Sequence, residues 1–108
     1  MTSFVRVQEI LDSIIAEWAV QHERPPNLRR HGMQFGWRTK AELLESIAFG
    51  KRLIDPEVIT SKTGDTSNLV VALRTGVPPF ARMPRGGPFI SDAQIVEIVE
   101  WINCGTPD

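Results

Sequence analysis

Cysteine is nearly missing from this chain: Cys104 is the only one in 108 residues. That excludes an internal disulfide framework and any cysteine-rich zinc or iron–sulfur site. Near the end of a helical segment such a residue is expected to be a small buried hydrophobe. Long apolar runs are missing too. Nothing approaches the roughly 18 residues needed to cross a bilayer, and Met1–Arg6 has neither the basic start nor the apolar stretch of a secretion signal. If Met1 is the native start, the chain is expected in the cytoplasm, away from membranes. Neither sign of charge prevails, with 12 basic and 13 acidic side chains and a net charge of −1. Bulk charge therefore points to neither nucleic acid nor a lipid surface as partner. Catalytic motifs are also lacking: there is no Gly-rich phosphate loop, no His-Glu-x-x-His and no Ser or Cys nucleophile in a recognised setting. Glu42, Glu45, Asp55, Glu57 and Asp65 show no pairing that would mark acid–base chemistry. The expectation is a protein that binds rather than one that catalyses.

What is present reads as a single helical domain over residues 1–108, large enough for one hydrophobic core and not for two. Phe4, Val7, Leu11, Ile14 and Trp18 recur at helical steps, which predicts a helix over about 3–20, and Pro25-Pro26 stops it. Thr39-Lys40-Ala41-Glu42 has the form of a capping box, with Leu43, Leu44 and Ile47 as the apolar face behind it and Gly50 as the terminator. Ser67 is the expected cap of a short helix presenting Leu69, Val70 and Leu73 and stopping at Gly76. Ser91-Asp92-Ala93-Gln94 is a second capping box, followed by Ile95, Ile98, Val99 and Ile102 on one face, with Val96 and Trp101 at its margins. No alternation long enough for a strand is visible.

Two irregular stretches separate these elements. Residues 21–38 concentrate Arg24, Arg29, Arg30 and Arg38 beside His22 and His31, and residues 76–90 form a long Pro/Gly loop. A loop of that length in so small a domain is expected to be functional or wrapped around something.

The C-terminal third holds a distinctive string: Ser67-x-Leu69, Arg82-Met83-Pro84, Gly86-Gly87-Pro88, Ile90-Ser91, Ile95, Ile98, Trp101-Ile102 and Gly105. It resembles the second half of a class I cytochrome c domain, and the order of elements along the rest of the chain is similar as well. The resemblance implies an all-α, orthogonal bundle of four to five helices with long loops. It also implies a last helix packed across the first, with Trp18 and Trp101 at their crossing, and a Met-Pro loop closing over the core. The chain departs from that family at the Cys-x-x-Cys-His motif, which it lacks; Asn27-Leu28-Arg29-Arg30-His31-Gly32 stands in the corresponding place. Covalent haem attachment is thereby excluded.

Haem occupies on the order of 500 Å³, and at roughly 24 cal/mol per Å³ an empty pocket of that size would cost on the order of 10 kcal/mol. The space is therefore expected to be filled, by Phe35, Trp37, Phe49, Phe80, Phe89 and Met83 turning inward. The leading expectation is a haem-free cytochrome c-like module that binds a protein partner or small ligand, an accessory to a redox enzyme being one such role. One alternative is an electron carrier holding haem non-covalently through His31 and Met83. Another is a small enzyme or ligand-binding domain with a pocket under the 76–90 loop. Arg29, Arg30, Arg38, Arg82 and Arg85 are the candidates for contact with a partner or an anion.

Overall fold

The structure, a computed structural model, describes residues 2–26, 31–78 and 81–108. Among them it is mostly helical, with five helices and one hairpin. The order is α1 (Phe4–His22), α2 (Lys40–Glu45), β1 (Ile47–Ala48), β2 (Lys51–Arg52), α3 (Pro56–Thr60), α4 (Asn68–Arg74) and α5 (Asp92–Asn103). No helix among the described residues is long and apolar enough to cross a membrane.

Helix α1 starts where Ser3 Oγ accepts the Arg6 amide at 3.2 Å and ends at a left-handed Glu23, two residues before Pro25. Its apolar stripe of Phe4, Val7, Ile10, Leu11 and Ile14 is buried. Helix α5 packs against the N-terminal half of that stripe. Both arms of its capping box are present, since Ser91 accepts from the Gln94 amide and Gln94 reaches back to Ser91. The Phe4 and Trp101 rings meet at 6.2 Å, and Arg6 grips Glu97 through bonds of 2.9 and 3.0 Å. The chain ends join the same seam. Pro107 O accepts both the Phe4 amide at 3.2 Å and the Trp101 indole N–H at 2.8 Å. Ile95, Ile98, Trp101 and Ile102 are inaccessible to solvent, and each such burial stabilises by roughly 1.5–3 kcal/mol.

Several local expectations are corrected. Trp101 packs on Phe4 where the terminal helices meet, as expected, and is a fully buried part of the α5 face instead of its margin; Trp18 is far from that crossing, at the other end of α1. Cys104 is exposed, because the chain turns at the end of α5 and directs it outward. Thr39 does cap α2, but the Glu42 carboxylate accepts the Arg38 amide at 2.7 Å instead of reaching back to Thr39. Helix α2 stops at Glu45, well short of Gly50. Phe49 and Gly50, both at positive φ, instead make the turn between β1 and β2, a geometry that matches the twist of a two-residue hairpin. Helix α3 begins with Asp55 as cap and Pro56 in its first turn. A 3₁₀ turn at Gly64–Thr66 then seats the chain against α5, where Gly64 is buried and its amide donates to Asn103 Oδ1 at 2.8 Å. Ser67 caps α4 as expected, and Gly76 follows its end at positive φ.

Candidate functional site

Four pieces of the chain surround a hollow beside the C-terminal half of α1, beyond the part that α5 covers. The first is the segment around 31–37. Its register comes from backbone bonds to the hairpin, Ile47 N–H to Gln34 O at 2.6 Å and Phe49 N–H to His31 O at 3.1 Å. The buried Ser46 hydroxyl accepts the Gly36 amide at 2.9 Å and lies 2.7 Å from the Gly36 carbonyl. Asp12 on α1 anchors the far end, accepting the Trp37 indole N–H at 2.7 Å and also the Arg38 guanidinium. Within this frame His31 stacks on Phe35 at 4.3 Å, nearly parallel, and Phe35 meets Trp37 edge-on at 5.6 Å.

The second piece is the loop after α4. Helix α4 ends with carbonyls that have no partner within the helix. Two of them are taken by the loop: Ala72 O accepts the Met83 amide at 2.8 Å and Leu73 O accepts Arg82 Nε at 2.9 Å. The last turn of α1 supplies the third piece. Trp18 and His22, four residues apart on one face, stack at 4.3 Å. Both donate to loop carbonyls, Trp18 Nε1 to Arg85 O and His22 Nε2 to Gly87 O, each at 2.8 Å. Against a carbonyl oxygen that imidazole nitrogen must carry its proton. Gly86 is required at this clamp, since a Cβ there would approach His22 Cε1 to 3.0 Å and its φ is +85°. The apolar face of α4 with the hairpin is the fourth piece.

Between these pieces lies an apolar cavity of about 130 Å³. Leu11, Ile14 and Ile15 form its α1 wall, Leu69, Ala72 and Leu73 its α4 wall, His31, Phe35 and Trp37 a third side, and Met83 with Pro84 the roof. It borders a broader cleft of about 690 Å³ that runs outward past Trp18, His22, Arg24, Pro25 and Arg85. Ile15, His31, Phe49, Met83 and Pro84 line both hollows, which adjoin there.

The expected refilling of the interior is incomplete. Trp37 is buried and Phe35 half-buried against the cavity, but Phe49 and Phe89 remain 44% and 43% exposed. Phe89 instead lies under the Arg82 guanidinium, 4.3 Å from its ring centre. Phe80 lies outside the described residues. The energetic argument changes accordingly: even a fully closed void of about 130 Å³ would cost only about 3 kcal/mol, which a domain stable by ~5–15 kcal/mol can carry.

Of the residues singled out from sequence, His31 and Met83 both line the two hollows where they adjoin, and Arg85 lines the cleft. Arg82 and Arg38 line neither hollow; the first is held by Leu73 O and Phe89, the second by Asp12. Arg29 and Arg30 lie outside the described residues. Sequence reasoning did not reach Asp12, the Trp18–His22 clamp or the place of Arg24 over the Trp18 ring, 5.5 Å from its centre. The four-residue spacing of Trp18 and His22 was the available signal; nothing local marked Asp12. Among the described residues no group of three or more His, Cys, Asp or Glu side chains is arranged to hold a metal ion.

Compared with protein-family models, with curated proteins and with solved structures, the chain gives no match in any of the three.

Proposed function

We propose that this chain is a cytochrome c-like binding module without covalently attached haem, and that its working part is the apolar cavity beneath Met83 and Pro84. One observation carries the proposal. A hollow of about 130 Å³, walled almost wholly by apolar side chains, persists at the place where α1, α4 and the Met-Pro loop meet. An apolar ligand entering it would be removed from water against apolar walls, and binding to the folded state stabilises that state. The order of elements, the packing of α5 on α1 and the closure of the loop over the core support the cytochrome c-like part.

Toluene is a suitable probe, since a cavity of ~150 Å³ lined by aliphatic and aromatic side chains takes up benzene. Saturable binding is expected by ligand-observed NMR, with a rise in Tm. Ala72→Leu and Ala48→Leu, each projecting into the cavity, should abolish binding while a cooperative melt shows that the fold survives. Folded wild-type protein that takes up no toluene overturns the proposal.

A second reading is favoured by the shared position of His31 and Met83 on both hollows. An imidazole and a thioether are a donor pair suited to haem iron, and that pair raises the potential. The apolar cavity alone is smaller than a porphyrin, so such a group would extend into the cleft. Bound there, haem would supply one-electron transfer, and this chain's residues would hold the iron and exclude water from it. The measurement is haem titration followed at the Soret band, comparing wild type with His31→Ala and Met83→Ala. Saturable binding weakened by both changes supports this reading; binding that is absent, or indifferent to both, removes it.

A further inference from the structure

Among the described residues both hollows lack acidic lining, but the cleft is the more cationic: the cavity has Lys51 and the cleft two arginines. The cleft's described lining includes Arg24, Arg85, His22 and His31, and no aspartate or glutamate. Arg6, Arg38 and Lys40 are each paired with a carboxylate. Arg24 and Arg85, like Arg52, Arg74 and Arg82, form no ion pair among the described residues, but they alone of these line the cleft. Arg24 lies over the Trp18 ring, and Trp18 in turn holds the Arg85 carbonyl. The indole therefore holds the Arg24 guanidinium and the Arg85 backbone at one mouth.

We propose that this mouth selects anions, and that the ligand is a single aromatic ring carrying a carboxylate or similar anionic group. The ring occupies the cavity and the anionic group lies between Arg24 and Arg85. The proposal rests on the binding role given to the cavity above and specifies its substrate class. The size of the cavity limits the apolar body, because about 130 Å³ accommodates one ring and not a fused system. The stacked His31–Phe35 pair and the edge of Trp37 favour an aromatic body over an aliphatic one. Uncompensated positive charge around a concave, apolar-walled mouth focuses the field on whatever enters, which attracts an anion and repels a cation. Guanidinium groups add directional, charge-assisted bonds to a carboxylate that a neutral analogue cannot replace.

The test uses phenylbutyrate, its neutral amide phenylbutyramide, and butyrate, titrated calorimetrically into the wild-type protein at low salt. Phenylbutyrate is expected to bind at least about tenfold more tightly than the amide, a preference that added salt erodes. Butyrate, with no ring, should show no saturable binding. The double change Arg24→Gln with Arg85→Gln should bring acid and amide to within about twofold of each other while leaving the amide's affinity where it was. Acid and amide binding equally to wild type would overturn anion selection and leave the apolar cavity standing. Failure of both, together with failure of toluene, would overturn the cavity's role as well.

Discussion

Gly64 shows how much a single missing methyl group determines here. A Cβ at this position would approach Ile102 Cβ to 2.8 Å and its Cγ2 to 3.0 Å, and both belong to the α5 face that packs the core. Gly64→Ala must therefore push the 3₁₀ turn off α5 or distort Ile102. We expect a loss of roughly 1–3 kcal/mol, read as a lower urea midpoint with an unchanged slope. A midpoint equal to wild type would show that the turn has room to yield. Glu97 governs a different dependence. Its hydrogen bond to Arg6 holds the carboxyl below the usual carboxylate range, against a smaller opposing effect of burial. A carboxyl whose folded value is depressed contributes its stability above the ordinary carboxylate range and loses it as pH falls through the folded value. The pair is partly exposed, so the effect is small. Glu97→Gln should lower the urea midpoint at neutral pH, and its difference from wild type should vanish in acid. A difference independent of pH would assign the effect to packing.

Among the elements, α1 does two jobs at its two ends. Its first half builds the core with α5, and its last turn clamps the loop through Trp18 and His22. Trp18→Phe keeps a ring to stack on His22 but removes the donor to Arg85 O. The loss should be about 1 kcal/mol. It should appear as faster hydrogen exchange at the Gly87 amide, which bonds Pro84 O at 2.9 Å, with the amides of α5 unchanged. Exchange that stays equal in the loop would mean that the clamp rests on His22 alone. Helix starts were legible because caps are local chemistry. Ser67 and Ser91 each offer an oxygen to an amide three residues on, and the structure uses both. Helix α2 was misjudged at its end for the opposite reason. Nothing in Glu45-Ser46-Ile47 announces that the next residues will pair with the chain at Gln34 and turn back through Phe49 and Gly50. Helix α3 escaped notice because it buries none of its residues, so it leaves no apolar periodicity to read despite its Asp-Pro start.

At the scale of the whole molecule, the α1–α5 seam and the hollow lie at successive positions along one apolar stripe of α1, so core packing and ligand space are set largely by different residues of that stripe. Leu11 and Ile14 are shared, facing both the buried cluster and the cavity. The sequence by itself determined the helical class, the faces that point inward, the caps that start α4 and α5, and the absence of any thiol pair to anchor haem. It also brought His31 and Met83 forward as residues of interest. Only the tertiary structure decided that Trp18 belongs to the loop and not to Trp101, that Arg38 is taken by Asp12, and that Phe49 and Phe89 stay outside while a hollow remains within. The reason is physical. Periodicity and capping are written over a few neighbouring residues, whereas a cavity is the difference between the volume the backbone encloses and the volume the side chains supply. That difference is set by contacts between residues far apart in the chain.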